Sequence, residues 1–432
     1  MIETWPAPDR PGRTSMAIKS SQTAGSVAAD LAEGQGAALA VLATATFLAM
    51  STWFSASAVL PQLRAAWGFS SAVGALLTIS VQVGFVFGGL ISAIFNLADR
   101  VPPRRLMLVG AVIASAANAA LVASSGGGEA VTLRFATGAA LALVYPPSLK
   151  AMATWYRRGR GMALGVMVGA LTLGAALPHL INAFGGTRWQ IALEATSALT
   201  LAGGLIAEFV GRDGPFPFPR SAFDPAQIVH AFRNRGVRLT TYGYFGHMWE
   251  LYAMWSWCAA FLADALARKH AAAATIQREA ALAAFAAIGL GALGCAAGGA
   301  LGDRWGRTRT VMASLAASGA CALLIGWSEA PVWVVLALAM VWGFAVVADS
   351  AQFSTIITEV ADPAYVGTAL TLQLATGFTL TVATIWLVPV VRNARGWEAA
   401  FALLALGPAA GIPAMLLLLR SPDRAQIAGG RG

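Results

Sequence analysis

The chain has 432 residues, of which 57% are hydrophobic and only 11% are charged, and its net charge is +9. Soluble proteins carry about 25% charged residues, so this composition excludes an ordinary water-soluble globule. The apolar residues form blocks of about 20, the length of a membrane-spanning helix, without the period-two alternation of a membrane β-barrel. An all-α polytopic membrane protein is therefore predicted.

The first segment, residues 1–36, is polar and lacks the apolar core of a signal peptide, which predicts a disordered cytosolic tail. Apolar blocks then predict twelve transmembrane helices, α1 to α12. Their expected ranges are 37–60, 71–96, 105–125, 130–154, 161–184, 189–210, 238–262, 279–300, 309–328, 331–357, 365–391 and 397–419.

The longest polar break, residues 211–236, divides the helices six and six. The two halves are therefore expected at 37–210 and 237–420, with 421–432 as a second cytosolic tail. Within the break, Asp224-Pro225 is a good start for a helix, and the apolar residues at 228, 229 and 232 share one face. This pattern predicts a short amphipathic helix on the inner leaflet, with a flexible linker as the alternative.

Charge placement predicts the orientation. Most of the 29 Lys and Arg residues fall on one side of the membrane if both chain ends are cytosolic. A basic rim at the inner membrane surface then explains the net charge, and no nucleic-acid partner is expected. Cys258, Cys295 and Cys321 lie in apolar blocks without metal-ligand spacing, so we expect small buried side chains and no metal site.

Two loops repeat along the chain. The segment NLADRVPPRRLML follows α2 and GGALGDRWGRTRTVM follows α8, which places Asp99-Arg100 and Asp303-Arg304 at the same position in each half. A second echo pairs RGRGMALG after α4 with PAYVGTAL after α10. Repeats in register indicate two pseudo-symmetric six-helix halves.

These loops resemble the signature of the major facilitator superfamily, Gly-x-x-x-Asp-Arg-x-Gly-Arg, which occurs after the second and eighth helices. The second copy matches well, whereas the first has Phe95 and Pro102 in the place of its two glycines. On α4, Arg134-x-x-x-Gly138 is similar to a family motif linked with proton coupling. The phrases GHMWELYAMW and ADSAQFSTIITE resemble a bacterial branch of permeases whose substrates are undefined.

The resemblance implies a monomeric transporter of a small-molecule substrate in the cytoplasmic (inner) membrane of a bacterium. The aspartates of the loops lie at helix ends, where a carboxylate can engage a neighbouring helix dipole and nearby arginines. We expect the loops to act as a latch between helix ends, and solvated turn residues are the alternative. The expected latch residues are Asp99, Arg100, Arg104, Gly299, Asp303, Arg304, Gly306 and Arg307.

Titratable side chains stand near the middle of α7, in YFGHMWELYAMWSW. His247 and Glu250 are three residues apart and so share a helical face. A charge at mid-membrane depth costs about 2.5–3.5 kcal/mol, so this face is expected to point into the bundle. The family resemblance implies that α1, α4, α7 and α10 line the cavity, which brings Asp349 to the same place. We expect Glu250, alone or with His247, to load and release a proton, and a structural hydrogen-bonded pair is the alternative.

Other polar or aromatic residues inside the helices are further candidates for the substrate or proton cavity. They are Trp53, Gln82, Arg134, Tyr145, His179, Tyr244, Tyr252, Gln352 and Gln373. Tyr145-Pro146-Pro147 is expected to break α4 beside a cavity or hinge. Trp249, Trp255 and Trp257 are interpreted as lipid-facing or packing residues.

Secondary active transport of a small organic solute by alternating access, coupled to protons, is the function these features favour. The alternatives are a drug or metabolite efflux antiporter, a small-anion porter of the cyanate or nitrite type, and a transporter-like membrane sensor. No cluster of nucleophile and base and no phosphate-binding loop is visible in the sequence. We therefore expect neither an enzyme nor an ATP-driven pump, and no cofactor.

Overall fold

The computed structural model describes residues 34–156, 160–185, 188–216, 228–268, 272–326, 330–362 and 365–432, and every regular element within these ranges is a helix. The observed bounds follow the predicted order. They are Gly34–Thr52, Ser55–Ala58 and Leu60–Trp67 for α1, Ser71–Ile94 for α2, Pro103–Ala120 for α3, Gly127–Leu141 and Tyr145–Ala153 for α4, Arg160–Gly185 for α5, Trp189–Phe209 for α6, Arg235–Ala267 for α7, Ala273–Trp305 for α8, Arg307–Ile325 for α9, Val332–Ala345 and Ser350–Val360 for α10, and Val366–Leu419 for α11 and α12 together.

Nine helical stretches in the described part of the chain are long and apolar enough to cross a membrane. The last of them holds both α11 and α12, which are separated by a kink at Gly396, where φ is 81°. The other two predicted spans are α4, which is broken into two short helices, and α7, whose polar residues lower its mean hydropathy. The prediction of an all-α polytopic fold with twelve helices in two halves is confirmed.

In both halves, glycines allow neighbouring helices to pack closely. In the first half, Gly84 and Gly138 bring α2 and α4 into backbone contact, with no room for a Cβ atom at either glycine. In the second half, Gly294 and Gly298 do the same for α8 against α10. Small residues at helix crossings allow close packing where lipid gives no hydrophobic driving force between helices. Glycines therefore join the corresponding pair of helices in each half, α2 with α4 and α8 with α10.

The halves meet along two seams, α5 against α8 and α2 against α11. On the first seam, a Cβ atom at Gly165 would stand 2.8 Å from the carbonyl oxygen of Cys295, and one at Gly169 would stand 3.1 Å from that of Ala292. We call the end of the molecule that holds the loops after α2 and α8 the loop end, and the opposite end the far end. The close contacts of α5 glycines with α8 lie in the half of α5 nearest the loop end.

Three helices are broken near mid-length. In α1 a 3₁₀ turn at Met50–Thr52 is followed by Phe54 with non-helical backbone angles. In α4 the helix stops at Leu141 and restarts at Tyr145, as the two prolines after Tyr145 predicted, because proline supplies no N–H to a continuing helix. In α10 the break lies between Ala345 and Ser350. Each break frees backbone carbonyls inside the bundle.

The connecting segments are described in part. Residues 1–33 of the predicted tail 1–36 lie outside the described residues, and residues 34–36 belong to the first helix. The predicted helix start at Asp224-Pro225 also lies outside the described residues. A short helix, Ile228–Arg233, precedes α7, and Asn234 caps α7 by accepting a hydrogen bond from the N–H of Val237 at 3.0 Å. The segment 421–432 folds back on the loop end, where Ile427 is fully buried.

Candidate functional site

A central cavity lies between the two halves, in the part of the bundle nearest the loop end. Helices α4 and α5 contribute from the first half, and α7, α10 and α11 contribute from the second. The space open to the centres of water molecules is about 70 Å³, which is room for only a few waters. Its lining residues are Tyr145, Leu149, Leu164, Val168, Leu171, Tyr244, Met248, Leu251, Tyr252, Trp255, Val347, Ser350, Ala351, Ser354, Leu374 and Phe378.

No charged side chain belongs to this lining among the described residues. Its polar residues are three tyrosines, two serines and Trp255. The Trp255 side chain is buried, and its Nε1 has no hydrogen-bond partner in the described part of the chain. A buried donor left unpaired costs about 1–3 kcal/mol, so a bound molecule that reaches this N–H gains a hydrogen bond.

An aromatic cluster closes the cavity on the side of the far end. We define it as Trp53, Phe54, Phe85, Tyr252, Trp255 and Phe378. Its rings join the halves: the centroids of Phe85 and Phe378 are 4.6 Å apart, and those of Trp53 and Tyr252 are 5.7 Å apart. Such tilted ring pairs contribute about 0.5–1.5 kcal/mol each beyond their buried area. The cluster therefore seals the far side of the cavity in this conformation.

Glu250 does not line the cavity. Its Oε2 accepts a hydrogen bond from the hydroxyl of Ser318 on α9 at 2.8 Å, and its Oε1 accepts one from Nε1 of Trp342 on α10 at 2.6 Å. The cavity-lining residues of α7 follow one stripe, 244, 248, 251, 252 and 255, and Glu250 points to the opposite side of the helix, into the second half. The expectation that its face looks into the cavity is corrected, because the neighbouring helices α9 and α10 occupy that face.

His247 and Asp349 are brought together as a buried pair. Nδ1 of His247 lies 2.9 Å from Oδ1 of Asp349, and both side chains are 1% exposed or less. The contact lacks hydrogen-bond alignment, and neither side chain has a hydrogen-bond partner among the described residues. Asp349 stands at the break of α10, between the cavity-lining residues Val347 and Ser350, and the His247 ring packs against that of Tyr244 at 5.9 Å. Asp349 therefore adjoins a wall residue in the chain, but neither side chain of the pair lines the cavity.

Arg134 is fully buried in the first half and is held by the break of α1. Its guanidinium donates to the carbonyl oxygen of Thr52 at 2.9 Å and to that of Trp53, and to the hydroxyl of Ser55 at 3.1 Å. Oδ1 of Asn118 accepts a further hydrogen bond at 3.2 Å. No carboxylate contacts it among the described residues. Arg134 thus fixes the backbone that carries Trp53 into the aromatic cluster, and it lies outside the cavity lining.

Three further candidates are buried away from the cavity wall. Gln82, Gln373 and His179 have no hydrogen-bond partner in the described ranges. None of them lines the central cavity, although Gln373 adjoins the lining residue Leu374. Trp53 belongs to the aromatic cluster, whereas the predicted cavity residues Tyr145, Tyr244 and Tyr252 do line the wall.

The loop between α8 and α9 is built around Arg307. Its guanidinium contacts Asp303 at 3.1 Å and Glu359 at 3.0 Å, and it donates to Oε1 of Gln352 at 3.1 Å. Gln352 therefore joins this loop, in place of the cavity that the sequence suggested, because its side chain reaches along α10 to the loop end. Gly306 makes the turn with a φ of 100°, a backbone conformation that side chains rarely adopt.

This loop also reaches the first half of the molecule. Gly299 of α8 lies against Gly161 of α5, where an added Cβ would stand 3.0 Å from the Gly161 carbonyl oxygen. A Cβ at Gly161 would in turn meet the Asp303 carboxylate at 2.9 Å. The glycines of the motif thus permit contact between the halves at the loop end. Arg304 and Arg100 are solvent-exposed at this end.

The first copy of the loop turns differently. Asn96 takes the left-handed conformation with a φ of 50°, and a short helix, Leu97–Arg100, follows it. Arg104 contacts Asp213 at 3.1 Å and donates to the carbonyl oxygen of Gly211 at 2.9 Å, which ties α3 to the segment after α6. The side chain of Asp99 lies outside the described residues. Because Phe95 and Pro102 replace the motif glycines, the turn occurs earlier in the chain.

Sequence reasoning missed most of the apolar cavity wall, and it assigned Trp255 to packing or lipid. The available signal was the spacing on α7: residues 244, 248, 251, 252 and 255 recur with helical period and are all large. The same spacing is equally typical of a packing face, so only the position of the opposite half distinguishes the two.

Comparison with known families covers both halves. The family model described as Major Facilitator Superfamily matches residues 42–267, more than half of the chain. A second model, described as Sugar (and other) transporter, matches residues 242–426. No curated protein matches the chain. The two matched ranges overlap within α7, the helix that contributes most to the cavity wall.

Proposed function

Because the chain belongs to the major facilitator superfamily, we propose that this multi-pass membrane transporter moves a small organic solute by alternating access coupled to protons. The observation that carries the proposal is the central cavity, which lies between the halves and is lined from both. A solute bound there touches both halves, so their relative movement can expose it to either side of the membrane.

Two sets of contacts between the halves support the alternation. The aromatic cluster lies on the far side of the cavity, and the contact of Gly161 with Gly299 and Asp303 lies at the loop end. Opening one set while the other stays closed gives access from one side at a time. The cavity in this structure holds only a few waters, so release of one set is needed before an organic molecule fits.

The pair of His247 and Asp349 is our candidate for the proton carrier. Both side chains are buried without other partners, and Asp349 sits at the break of α10 beside the cavity wall. Ionisable residues inside transmembrane helices are costly and commonly mark ion or proton pathways. Movement of α10 at its break changes the hydration of Asp349, which couples protonation to the state of the cavity.

An efflux antiporter is the second candidate function. The cavity wall is aromatic and aliphatic, which suits an efflux antiporter for apolar drugs or metabolites better than a porter for small anions, since no basic side chain lines it among the described residues. We further propose that the loop end faces the cytosol of a bacterial cell, with the protein in the cytoplasmic membrane and both chain ends inside, because most basic residues gather there.

The proposal is tested with purified protein in liposomes that enclose a pH-sensitive dye. Addition of compounds from a panel of small organic solutes is expected to drive proton flux in the wild type, and Asp349→Asn is expected to abolish the flux while solute exchange persists. Equal proton flux in both proteins would exclude the His247–Asp349 pair as the carrier. Solute accumulation without any proton movement would exclude proton coupling.

A further inference from the structure

The chemistry of the cavity wall narrows the substrate, and this step rests on the proposed transport function. We propose that the substrate is an uncharged molecule with an aromatic or similarly flat ring and at least one hydrogen-bond acceptor, which the Trp255 indole N–H recognises. Neither an ion nor a polyhydroxylated sugar has the matching chemistry.

The surroundings of the site exclude a charged substrate. A buried charge needs a counter-charge or several hydrogen bonds, and the lining offers no ionised group among the described residues. The charged side chains of neighbouring helices lie outside the lining and against other groups. Asp349, beside the wall, lies 2.9 Å from Nδ1 of His247. Glu250 is bonded to Ser318 and Trp342, and Arg134 is bonded to the broken part of α1. An ionic substrate would therefore sit in this cavity unpaired.

A flat ring fits the shape of the wall. Tyr252, Trp255 and Phe378 present aromatic surface at one end of the cavity, with Tyr252 and Phe378 centroids 5.0 Å apart. Tyr145 and Tyr244 lie nearer the loop end. Rings of this kind stack on other rings in offset or edge-to-face arrangements. The wall therefore offers a stacking surface with few polar groups, where a sugar would leave most of its hydroxyls unsatisfied.

A second cavity extends the apolar surface. It lies between α2 and α11 with about 80 Å³ open to the centres of water molecules, and it shares Leu374 and Phe378 with the central cavity. Its other lining residues are apolar except for Thr371. A substituent longer than one ring is therefore accommodated by apolar surface on this side.

The unpaired indole N–H selects which group of the substrate can bind beside it. Trp255 Nε1 is a donor only, so it selects a carbonyl, ether or ring nitrogen on the substrate. Two residues further along α7, Trp257 donates its own N–H to the carbonyl oxygen of Ile385 at 3.1 Å and lies outside the cavity lining. Trp257 is thus a matched control within the same helix.

The test uses four probes and measures thermal unfolding of the purified protein in lipid nanodiscs. Benzamide, benzoate and benzylammonium carry the same ring with no charge, a negative charge and a positive charge, and glucose represents sugars. Benzamide is expected to raise the melting temperature in a concentration-dependent way, and the other three are expected to have no effect. Stabilisation by none of the probes, or equal stabilisation by a charged probe or by glucose, would overturn the proposal.

Variants test whether the Trp255 N–H and the uncharged wall determine which probe binds. Trp255→Phe keeps the ring surface and removes the donor, so the affinity for benzamide is expected to fall about threefold to tenfold, whereas Trp257→Phe keeps it. Ser350→Asp adds a carboxylate to the wall and is expected to shift the preference from benzamide to benzylammonium. Unchanged benzamide affinity in Trp255→Phe would refute the assigned donor.

Proton flux measured separately in liposomes distinguishes this inference from the transport proposal. Benzamide binding without any solute-driven flux would support the proposed chemistry of the bound molecule and refute transport. Flux driven only by charged solutes would retain transport and refute the substrate class.

Discussion

Each oxygen of Glu250 accepts one hydrogen bond, from Ser318 and from Trp342, and both donors belong to the same half of the molecule as α7. A glutamine at this position can keep both bonds, because its carbonyl accepts from the indole and its amide donates to the serine oxygen. The side chain at 250 therefore acts as a brace between α7, α9 and α10. Its depth in the membrane alone does not make it a proton carrier.

We predict that Glu250→Gln changes the free energy of unfolding by less than about 1 kcal/mol and keeps solute-driven proton flux. Glu250→Ala leaves the Trp342 N–H unpaired and opens a cavity, so a loss of about 2–4 kcal/mol is expected. Denaturation in detergent and the liposome flux assay measure the two effects. Abolished proton flux in a stable Glu250→Gln protein would identify Glu250 as the proton carrier.

Arg134 donates hydrogen bonds to oxygens of α1 and of Asn118. Lysine keeps the charge but cannot reach the oxygens of Thr52, Trp53, Ser55 and Asn118 with one ammonium group. Arg134→Lys is expected to lower the free energy of unfolding by about 1–3 kcal/mol, because acceptors around the break of α1 lose their donor. Arg64→Lys, at an exposed position on α1, is the control and should be neutral. Equal stability of both variants would contradict the assigned role.

At the scale of elements, the contact between α5 and α8 depends on the absence of side chains. An alanine at position 299 places its Cβ 3.0 Å from the Gly161 carbonyl oxygen, whereas one at 289 has no neighbour closer than 3.6 Å. We predict that Gly299→Ala destabilises the protein by about 1–3 kcal/mol and changes the transport rate, since the proposed alternation shifts the halves at the loop end. Gly289→Ala, on the same helix, should be neutral or slightly stabilising. The contact would be unimportant if both variants transported at the wild-type rate.

The segment 421–432 contributes to the same end of the molecule. Its Ala428 N–H donates to Glu359 at 3.1 Å, and Arg431 donates to the carbonyl oxygen of Asp303 at 2.8 Å, so it braces the Arg307 network. We predict that Ile427→Asp releases this segment, because a buried apolar anchor becomes a charge. Hydrogen exchange should then rise in residues 303–308 and 421–432. Gln426→Asp, at an exposed site, is the control, and unchanged exchange in Ile427→Asp would show that Ile427 is not the anchor.

The elements themselves were largely predictable from sequence. Apolar blocks located the helices, and the prolines after Tyr145 located the break of α4. The rotation of each helix was not predictable, because it depends on the neighbours: a spacing of three placed His247 and Glu250 on one face, yet one meets Asp349 and the other meets Ser318 and Trp342. The wall at Trp255 was missed for the same reason, since aromatic spacing does not reveal whether a ring faces lipid, protein or a cavity.

At the scale of the whole molecule, the two halves touch on opposite sides of one uncharged cavity. The aromatic cluster lies toward the far end, and the Gly161–Gly299 contact lies at the loop end. Each half supplies part of the cavity wall, which is the arrangement that the proposed alternating access needs. Glycine contacts within each half, such as Gly84 with α4 and Gly294 with α10, pack its helices closely, which suits the proposed movement of each half as a unit.

The most direct test of this account is the accessibility of the cavity from each side of the membrane. A cysteine at Ser350, in a protein whose three native cysteines are buried, is treated with a membrane-impermeant thiol reagent in right-side-out and in inverted vesicles. The account predicts reaction from both sides, with no reaction of a cysteine placed at Ser318 beside Glu250. Reaction of the Ser350→Cys protein from one side only, with or without a proton gradient and with or without benzamide, would contradict it.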